Sequence, residues 1–257
     1  MRMHLLTLLV ISLLASSAQA ADWGTLKGKL VFDGKADEPK PINVNKDIEY
    51  CKKHSPMEET LVVDEDGGIA NVVVYLYVKK GKSVDIHPDM EAVGEPATLD
   101  NKGCRFEPHV LMIRTGQELK VLNSDEGVGH NTNATMLANA SFNEQVTSGS
   151  PLVKKFEKRE GLPMTVACNI HPWMKAYLLV RDNPYMAVTN EKGEFEVKNI
   201  PAGKHEFIFW HEAKGNIRSL KVGGTKTSRK GRAKLTIPAG NVLDLGEVKI
   251  SGKTLGI

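Results

Sequence analysis

The residues able to do chemistry gather in one short stretch, Cys168-Asn169-Ile170-His171-Pro172-Trp173-Met174. It sets a thiol, an imidazole and a thioether at the spacing C-x2-H-x2-M. A second imidazole, His130, lies upstream in Gly129-His130-Asn131, just after a strand-like run. One thiolate, two imidazoles and a weak thioether suit a copper ion that changes oxidation state. Soft sulfur favours Cu(I) and imidazole serves both states, so the donor set passes one electron without being rebuilt. In that chemistry Cys168 supplies the short thiolate bond, His130 and His171 complete a trigonal plane, and Met174 is a long axial donor that tunes the potential. Taken singly, the same residues also read as a buried cysteine, a capping histidine and a core methionine. Zinc would use Cys and His but prefers a closed set without Met. A Cys–His nucleophile pair would need a strand-to-helix setting that this stretch lacks.

Other redox motifs are missing: the sequence has no C-x-x-C-H, no C-x3-C and no H-x-H. A four-donor site leaves no open position for a substrate, so the expectation is a carrier and not an enzyme. The other histidines read as structural. His109, in Glu107-Pro108-His109, is expected to be a satisfied histidine near Cys104, and His205 and His211 to be sandwich residues. The basic run at 221–234 would suit an acidic partner or anionic surface, but a solvated loop is the simpler reading.

The N-terminus carries an address. Arg2, an apolar run over 5–15 and Ala18-Gln19-Ala20 form a secretory signal (1–20) cut near Ala20. The other reading is an uncleaved anchor, for which the run is short. The mature chain is expected in the periplasm or outside the cell, with no integral membrane segment. A formal net charge of +3 names no nucleic-acid partner, and 41% hydrophobic residues suffice for a core. Three cysteines in an exported chain leave one over. We read Cys51 and Cys104 as a disulfide and Cys168 as the metal thiolate. The alternative is three unpaired thiols, since spacing alone brings no two Cα atoms together.

The elements that must position these residues are strands. Alternation predicts strands over 24–33, 61–63 and 69–78, the last dense enough in β-branched and aromatic residues to be a buried central strand. A helical turn carrying Cys51 is expected at 47–54, and a polar connection at 79–97. Further strands are predicted over 104–114, 118–123, 151–157, 164–168 and 175–181. The stretch 131–149 reads as long loop with short strands. After it come strands at 185–189, 193–197, 205–211 and 243–250, separated by sharp turns at Asn190–Gly193 and Pro201–Gly203. No amphipathic helix of three turns is visible, so the fold is expected to be all-β.

Two resemblances organise these strands. The block 97–183 resembles the cupredoxins, its ligand loop being most similar to that of amicyanins. The strand Gly116-Gln117-Glu118-Leu119-Lys120-Val121-Leu122-Asn123 leads to His130-Asn131. Cys168-x2-His171-Pro172-x-Met174 follows, and runs straight into Lys175-Ala176-Tyr177-Leu178-Leu179-Val180. The resemblance implies a Greek-key β-sandwich with one type 1 copper site on His130, Cys168, His171 and Met174. It implies that the Asn131 backbone amide bonds the cysteine sulfur. It also implies that the His171 ring edge is the surface exit for electrons, with Pro172 and Trp173 in the patch that docks a redox donor or acceptor. Core packing is the other reading of Trp173.

The flanks resemble transthyretin-type, carboxypeptidase-regulatory-like β-sandwiches. Gly28–Asp33, Ala70-Asn71-Val72-Val73-Val74-Tyr75-Leu76 and the stretch 189–203 carry that likeness. Two lie before the copper block and one after it, so the cupredoxin domain (97–183) is expected to sit inside a discontinuous sandwich of 22–96 and 184–257, insertion at a loop tip being tolerated. The arrangement also resembles exported bacterial proteins labelled methylamine-utilisation proteins. Of a different class is a non-redox exported module, whose sandwich binds a protein or glycan surface and whose copper is absent, stored or structural.

Overall fold

The computed structural model describes residues 23–257, so the export signal read from 1–20 lies outside the described residues. Within them the chain is all-β: apart from two four-residue helices and two 3-10 turns, its regular structure is strand. No helix among the described residues is long and apolar enough to cross a membrane.

Strand β1 (Trp23–Asp33) is the first element among the described residues. A strap, residues 34–60, then leaves the sheet and returns. It holds α1 (Ile48–Cys51) and a 3-10 turn (Lys52–His54), the helical turn expected there. Its base is closed by Ile42 N–H to Pro56 O at 2.9 Å and Glu58 N–H to Lys40 O at 2.8 Å. Residues 61–63 form no strand, only a bridge from Val63 to Ile69. The apolar run at 69–78 condenses to β2 (Val73–Leu76), buried at every position.

The middle of the chain forms two sheets. It contributes β3 (Ala97–Asn101), β4 (Phe106–Glu107), β5 (Val110–Arg114), β6 (Glu118–Asn123), β7 (His130–Ala134), β8 (Phe142–Val146), β9 (Leu152–Lys155), β10 (Met164–Ala167) and β11 (Lys175–Arg181). One sheet runs β4-β3-β6-β9 and the other β5-β11-β10-β7-β8. The single strand expected over 104–114 divides between the two sheets, because Pro108 has no N–H for a ladder and Cys104 adopts a positive φ of 56°. The stretch 131–149, read as long loop with short strands, holds the β7–β8 hairpin, with His130 opposite Val146.

The last third supplies β12 (Met186–Val188), β13 (Glu194–Pro201), β14 (Gly203–His211), β15 (Gly215–Asn216), β16 (Lys221–Val222), β17 (Thr225–Lys226), β18 (Arg232–Ile237), β19 (Val242–Ser251) and α2 (Gly252–Leu255). β1 lies between β13 and β19, and β2 between β12 and β14. The basic run is therefore more than a solvated loop: it holds β16 and β17 and feeds β18, while most of its lysines and arginines stay exposed. At the turn before β13, Gly193 sits at φ +75°, and a Cβ there would meet Leu30 O at 2.3 Å, so only glycine lets β1 pass.

Side-chain alternation explains why β2 reads as one apolar run. Val72, Val74 and Leu76 join Phe207 and Phe209 of β14 in the core of the flanking sandwich. Val73 and Tyr75 face the other way, with Ile208 and Trp210, onto Val110 and Leu179 of the middle block. The sheet is covered on both faces, so both sets of residues must be apolar. β11 is used in the same way, turning Leu178 and Val180 into the third core with Cys168 and Met174. Arg181 crosses this junction buried, donating to Glu160 O at 2.9 Å and Leu76 O at 3.3 Å, with its guanidinium over the Tyr75 ring.

Glu160 is fully buried and organises the turn after β7. Its carboxylate accepts the amides of Leu137, Ala138 and Asn139 and the Asn139 side chain at 2.9–3.3 Å. Glu160→Ala orphans those donors and is expected to cost about 3 kcal/mol, because bonds to charged acceptors are the strong ones. Urea unfolding of the metal-free protein measures the loss, and Glu160→Gln, which keeps one acceptor oxygen, should recover part of it.

Candidate metal centre

His130 is the first residue of β7, Cys168 follows β10, and His171 and Met174 lie in the turn that returns the chain as β11. Antiparallel pairing of β10 with both β7 and β11 brings the three segments to one end of the sheet. Inside the turn, Met174 N–H donates to His171 O at 2.9 Å and Cys168 N–H to Met174 O at 3.2 Å, so the loop closes on itself. The Asn131 side chain fastens it from outside: Oδ1 accepts from Asn169 N–H at 2.8 Å and Ile170 N–H at 3.3 Å.

The donor atoms of His130, Cys168 and His171 lie within 4.8 Å of one another, all in buried side chains. Cys168 Sγ is 3.9 Å from His130 Nδ1 and 3.8 Å from His171 Nδ1. A first-row metal about 2.3 Å from a thiolate and about 2.0 Å from each imidazole in a trigonal plane requires S···N separations near ~3.7 Å. The residues therefore fit such an ion. Met174, 2% exposed, packs in the same core as Cys168.

Both imidazoles are braced at their far nitrogen. His130 Nε2 is 2.9 Å from Asp125 Oδ2, and His171 Nε2 is 2.8 Å from Asp47 Oδ2. A carboxylate only accepts, so each Nε2 carries a proton; without an ion Nδ1 can donate to Cys168 Sγ, and its lone pair would turn to an ion once that proton is displaced. Asp125 is itself fixed by the amides of Gly103 and Cys104 at 2.6 and 2.9 Å. Burial would raise its pKa, but those amides and His130 hold it below the ordinary carboxylate range. For Cys168, burial would raise the thiol, yet hydrogen bonds from His130 and His171 and from the backbone of Asn131 and His171 bring it down to about 6. The sulfur is thus a thiolate at neutral pH, as a soft-metal ligand must be. The Asn131 side chain also lies at the sulfur, its Oδ1 3.4 Å from Cys168 Sγ.

His171 departs from the expectation of an exposed ring edge: its side chain is fully buried, because Asp47 of the strap lies against it. Pro172 is exposed. Trp173 is half-buried, edge-on to His171, with its indole N–H given to Cys104 O at 3.1 Å. Cys51 and Cys104 are joined by a disulfide. Sequence reasoning missed Asp47, Asp125 and Tyr50, whose hydroxyl donates to Asp125 Oδ1 at 3.2 Å. Asp125 had a faint signal, an acidic residue in the loop delivering His130; Asp47, 124 positions from its partner, had none.

His109 lies apart from this cluster. It is clamped between Glu212 Oε1 at 2.5 Å from Nε2 and Glu59 Oε2 at 3.6 Å from Nδ1, with Tyr177 edge-on. Burial would lower its pKa, but Glu212 and Glu59 push it up to about 9. His211 beside it is pushed down to about 4, chiefly by burial. His205 Nε2 lies 2.6 Å from Pro201 O.

These shifts fix a pH profile. The stability from His109 is complete below the unfolded value of about 6.5 and is lost as pH rises through about 9. That from His211 is complete above about 6.5 and is lost as pH falls towards 4. His130, raised to about 9 after Asp125 outweighs burial, falls in the same alkaline window, while Cys168 rises across it, so those two offset. The melting temperature of the metal-free protein should peak near about pH 6.5. His109→Gln should flatten the alkaline side, as calorimetry across pH 4–9 would read.

No family model matches the chain, and no curated protein matches it. Among solved structures, a copper-containing nitrite reductase from Thermus scotoductus SA-01 is similar at 21% identity, over 41% of this chain and 25% of that one, with a TM-score of 0.31. A purple cupredoxin from Nitrosopumilus maritimus is similar at 22% identity, over 33% of this chain and 98% of its own, with a TM-score of 0.28. A variant of amicyanin in its reduced Cu(I) form at pH 4 shares 18% identity over 35% of this chain and 87% of its own, with a TM-score of 0.30. The chain thus spans a quarter of the nitrite reductase's length.

Proposed function

We propose that the protein is an exported type 1 copper protein that carries single electrons between redox partners. The observation that carries this reading is the convergence of His130 Nδ1, Cys168 Sγ and His171 Nδ1 in a buried cluster. His130, Cys168, His171 and Met174 would hold the ion. Bound copper would supply a one-electron couple. The chain's part is to keep Cys168 ionised, to hold both rings through Asp125 and Asp47, and to exclude water from the cluster. With four protein donors the ion would have no open position for a substrate, so we read the protein as a carrier and not an enzyme.

We assign 97–183 to the copper domain and 22–96 with 184–257 to a discontinuous, carboxypeptidase-regulatory-like sandwich. In support, every ladder of the two middle sheets forms within 97–181, whereas β1 and β2 pair only with strands beyond 185. The wider likeness to methylamine-utilisation proteins is one of arrangement and assigns no residue a role. Pro172 and Trp173 line a cleft of about 520 Å³ with Ile42, Met57, His109 and Glu212, the surface we assign to a redox donor or acceptor.

The test is the visible and electron paramagnetic resonance spectrum of the mature protein after addition of Cu(II). An intense visible band that bleaches on reduction is the expected result. Colourless, tightly held copper would replace the carrier with a storage protein. No binding would leave an exported, non-redox β-sandwich module.

A further inference from the structure

The strap at 34–60 reaches the back of both imidazoles. Asp47 Oδ2 meets His171 Nε2 at 2.8 Å, and Tyr50 OH meets the carboxylate that holds His130. Cys51 anchors the strap to Cys104, whose N–H bonds that same Asp125 and whose carbonyl takes the Trp173 indole N–H. Val44 and Cys51 bury themselves in the copper-block core, so the strap is packed there and not merely tethered.

Asp47 is placed for this task at a local cost. It is the N-cap of α1, where an aspartate side chain ordinarily accepts an amide of the first turn. Here it makes no such bond, and its backbone is left-handed, φ 44° and ψ 47°. Non-glycine residues adopt that region uncommonly. The carboxylate is turned away from the helix that it would cap and onto His171. His171 is fully buried although its neighbour Pro172 is exposed.

We propose that Asp47 is a positioning residue for His171: it fixes the ring with Nδ1 towards Cys168 and strengthens that nitrogen's donation to a bound ion. The reading of Nδ1 as a copper donor rests on the proposed function; the Asp47–His171 bond does not. A carboxylate partner on a ligating imidazole strengthens its donation, which favours the more highly charged Cu(II) and lowers the reduction potential. Loss of such a partner weakens metal binding roughly 10–100-fold.

The experiment compares wild type with Asp47→Ala, Asp47→Asn and, as a control on the same strap, Lys53→Ala. In the metal-free protein, nitrogen-15 NMR should show a slowly exchanging His171 Nε2 proton in wild type and Lys53→Ala, retained in Asp47→Asn and lost in Asp47→Ala. With copper, chelator competition should show roughly 10–100-fold weaker Cu(II) binding in Asp47→Ala. The reduction potential should rise in Asp47→Asn, which keeps an acceptor but loses the charge, and rise further in Asp47→Ala. An unchanged Nε2 proton in Asp47→Ala, or a blue Asp47→Ala protein with wild-type affinity and potential, overturns the proposal. A wild type that takes up no copper overturns the copper reading instead, and the proton signal still decides whether Asp47 positions the ring.

Discussion

Cys168→Ser removes the intense visible band that Cu(II) is expected to give the wild-type protein, and weakens Cu(II) binding by more than about 100-fold. The estimate exceeds the 10–100-fold loss that follows when only a ligand's partner is removed. Cys168 is the soft donor of the cluster, its sulfur 3.8–3.9 Å from both ring nitrogens and ionised at neutral pH with a pKa of about 6. A serine hydroxyl stays protonated there and is a poor partner for Cu(I). The side chain is 2% exposed and nearly the same size as serine, so the metal-free variant should keep its fold. Absorption spectroscopy with chelator competition reads the outcome, and a band that survives would place the copper elsewhere.

The second large effect is on stability. Replacing Cys51 and Cys104 together by alanine is expected to lower the unfolding free energy by about 4 kcal/mol, given the separation of 53 residues that the bridge closes. For a chain of this size that corresponds to a fall of roughly 10 °C in melting temperature. Denaturant unfolding of the metal-free variant measures it, and wild type treated with reductant should move the same way. Both half-cystines are fully buried in the core that also holds Cys168 and Met174, so packing loss adds to the entropic effect. A change below about 1 kcal/mol would mean that the strap is held by Val44, Tyr50 and its closed base without the bridge.

Much of the site was legible because its chemistry is local. Cys168, His171 and Met174 belong to one turn, and their spacing, with His130 upstream, suggested the donor set. His130 was legible from its residue type but not its setting: Asn131, Thr132 and Asn133 look like loop, yet β7 is mostly buried. Asn131 and Asn133 are satisfied by other polar side chains, Asn143 and Asn169, and no hydropathy pattern records that. Strands β1, β2 and β14 were legible because each has at least one continuous apolar face. β3 and β18 were not, since β3 is half polar and β18 alternates lysine and arginine with its buried positions. The split of 104–114 between sheets hung on Pro108, and the carboxylate behind His171 on a contact across 124 positions. Local spacing reports what a residue can bind; only tertiary contact reports what covers it.

The placement of β1 has a consequence in time. Its register partners on β19 run from Val242 to Ser251, more than 200 positions later in the chain. Its other neighbour, β13, also comes after the whole middle block. As the chain is made, residues 97–181 complete both of their sheets while β1 has only its bridge to Gly68 and none of its ladder partners. The first of the described strands to be synthesised is therefore among the last to complete its ladders, and closing so long a loop is slow. Until then β1 is an open edge that another copy could borrow, and Lys27 and Lys29 along it are the charges that make such borrowing unfavourable.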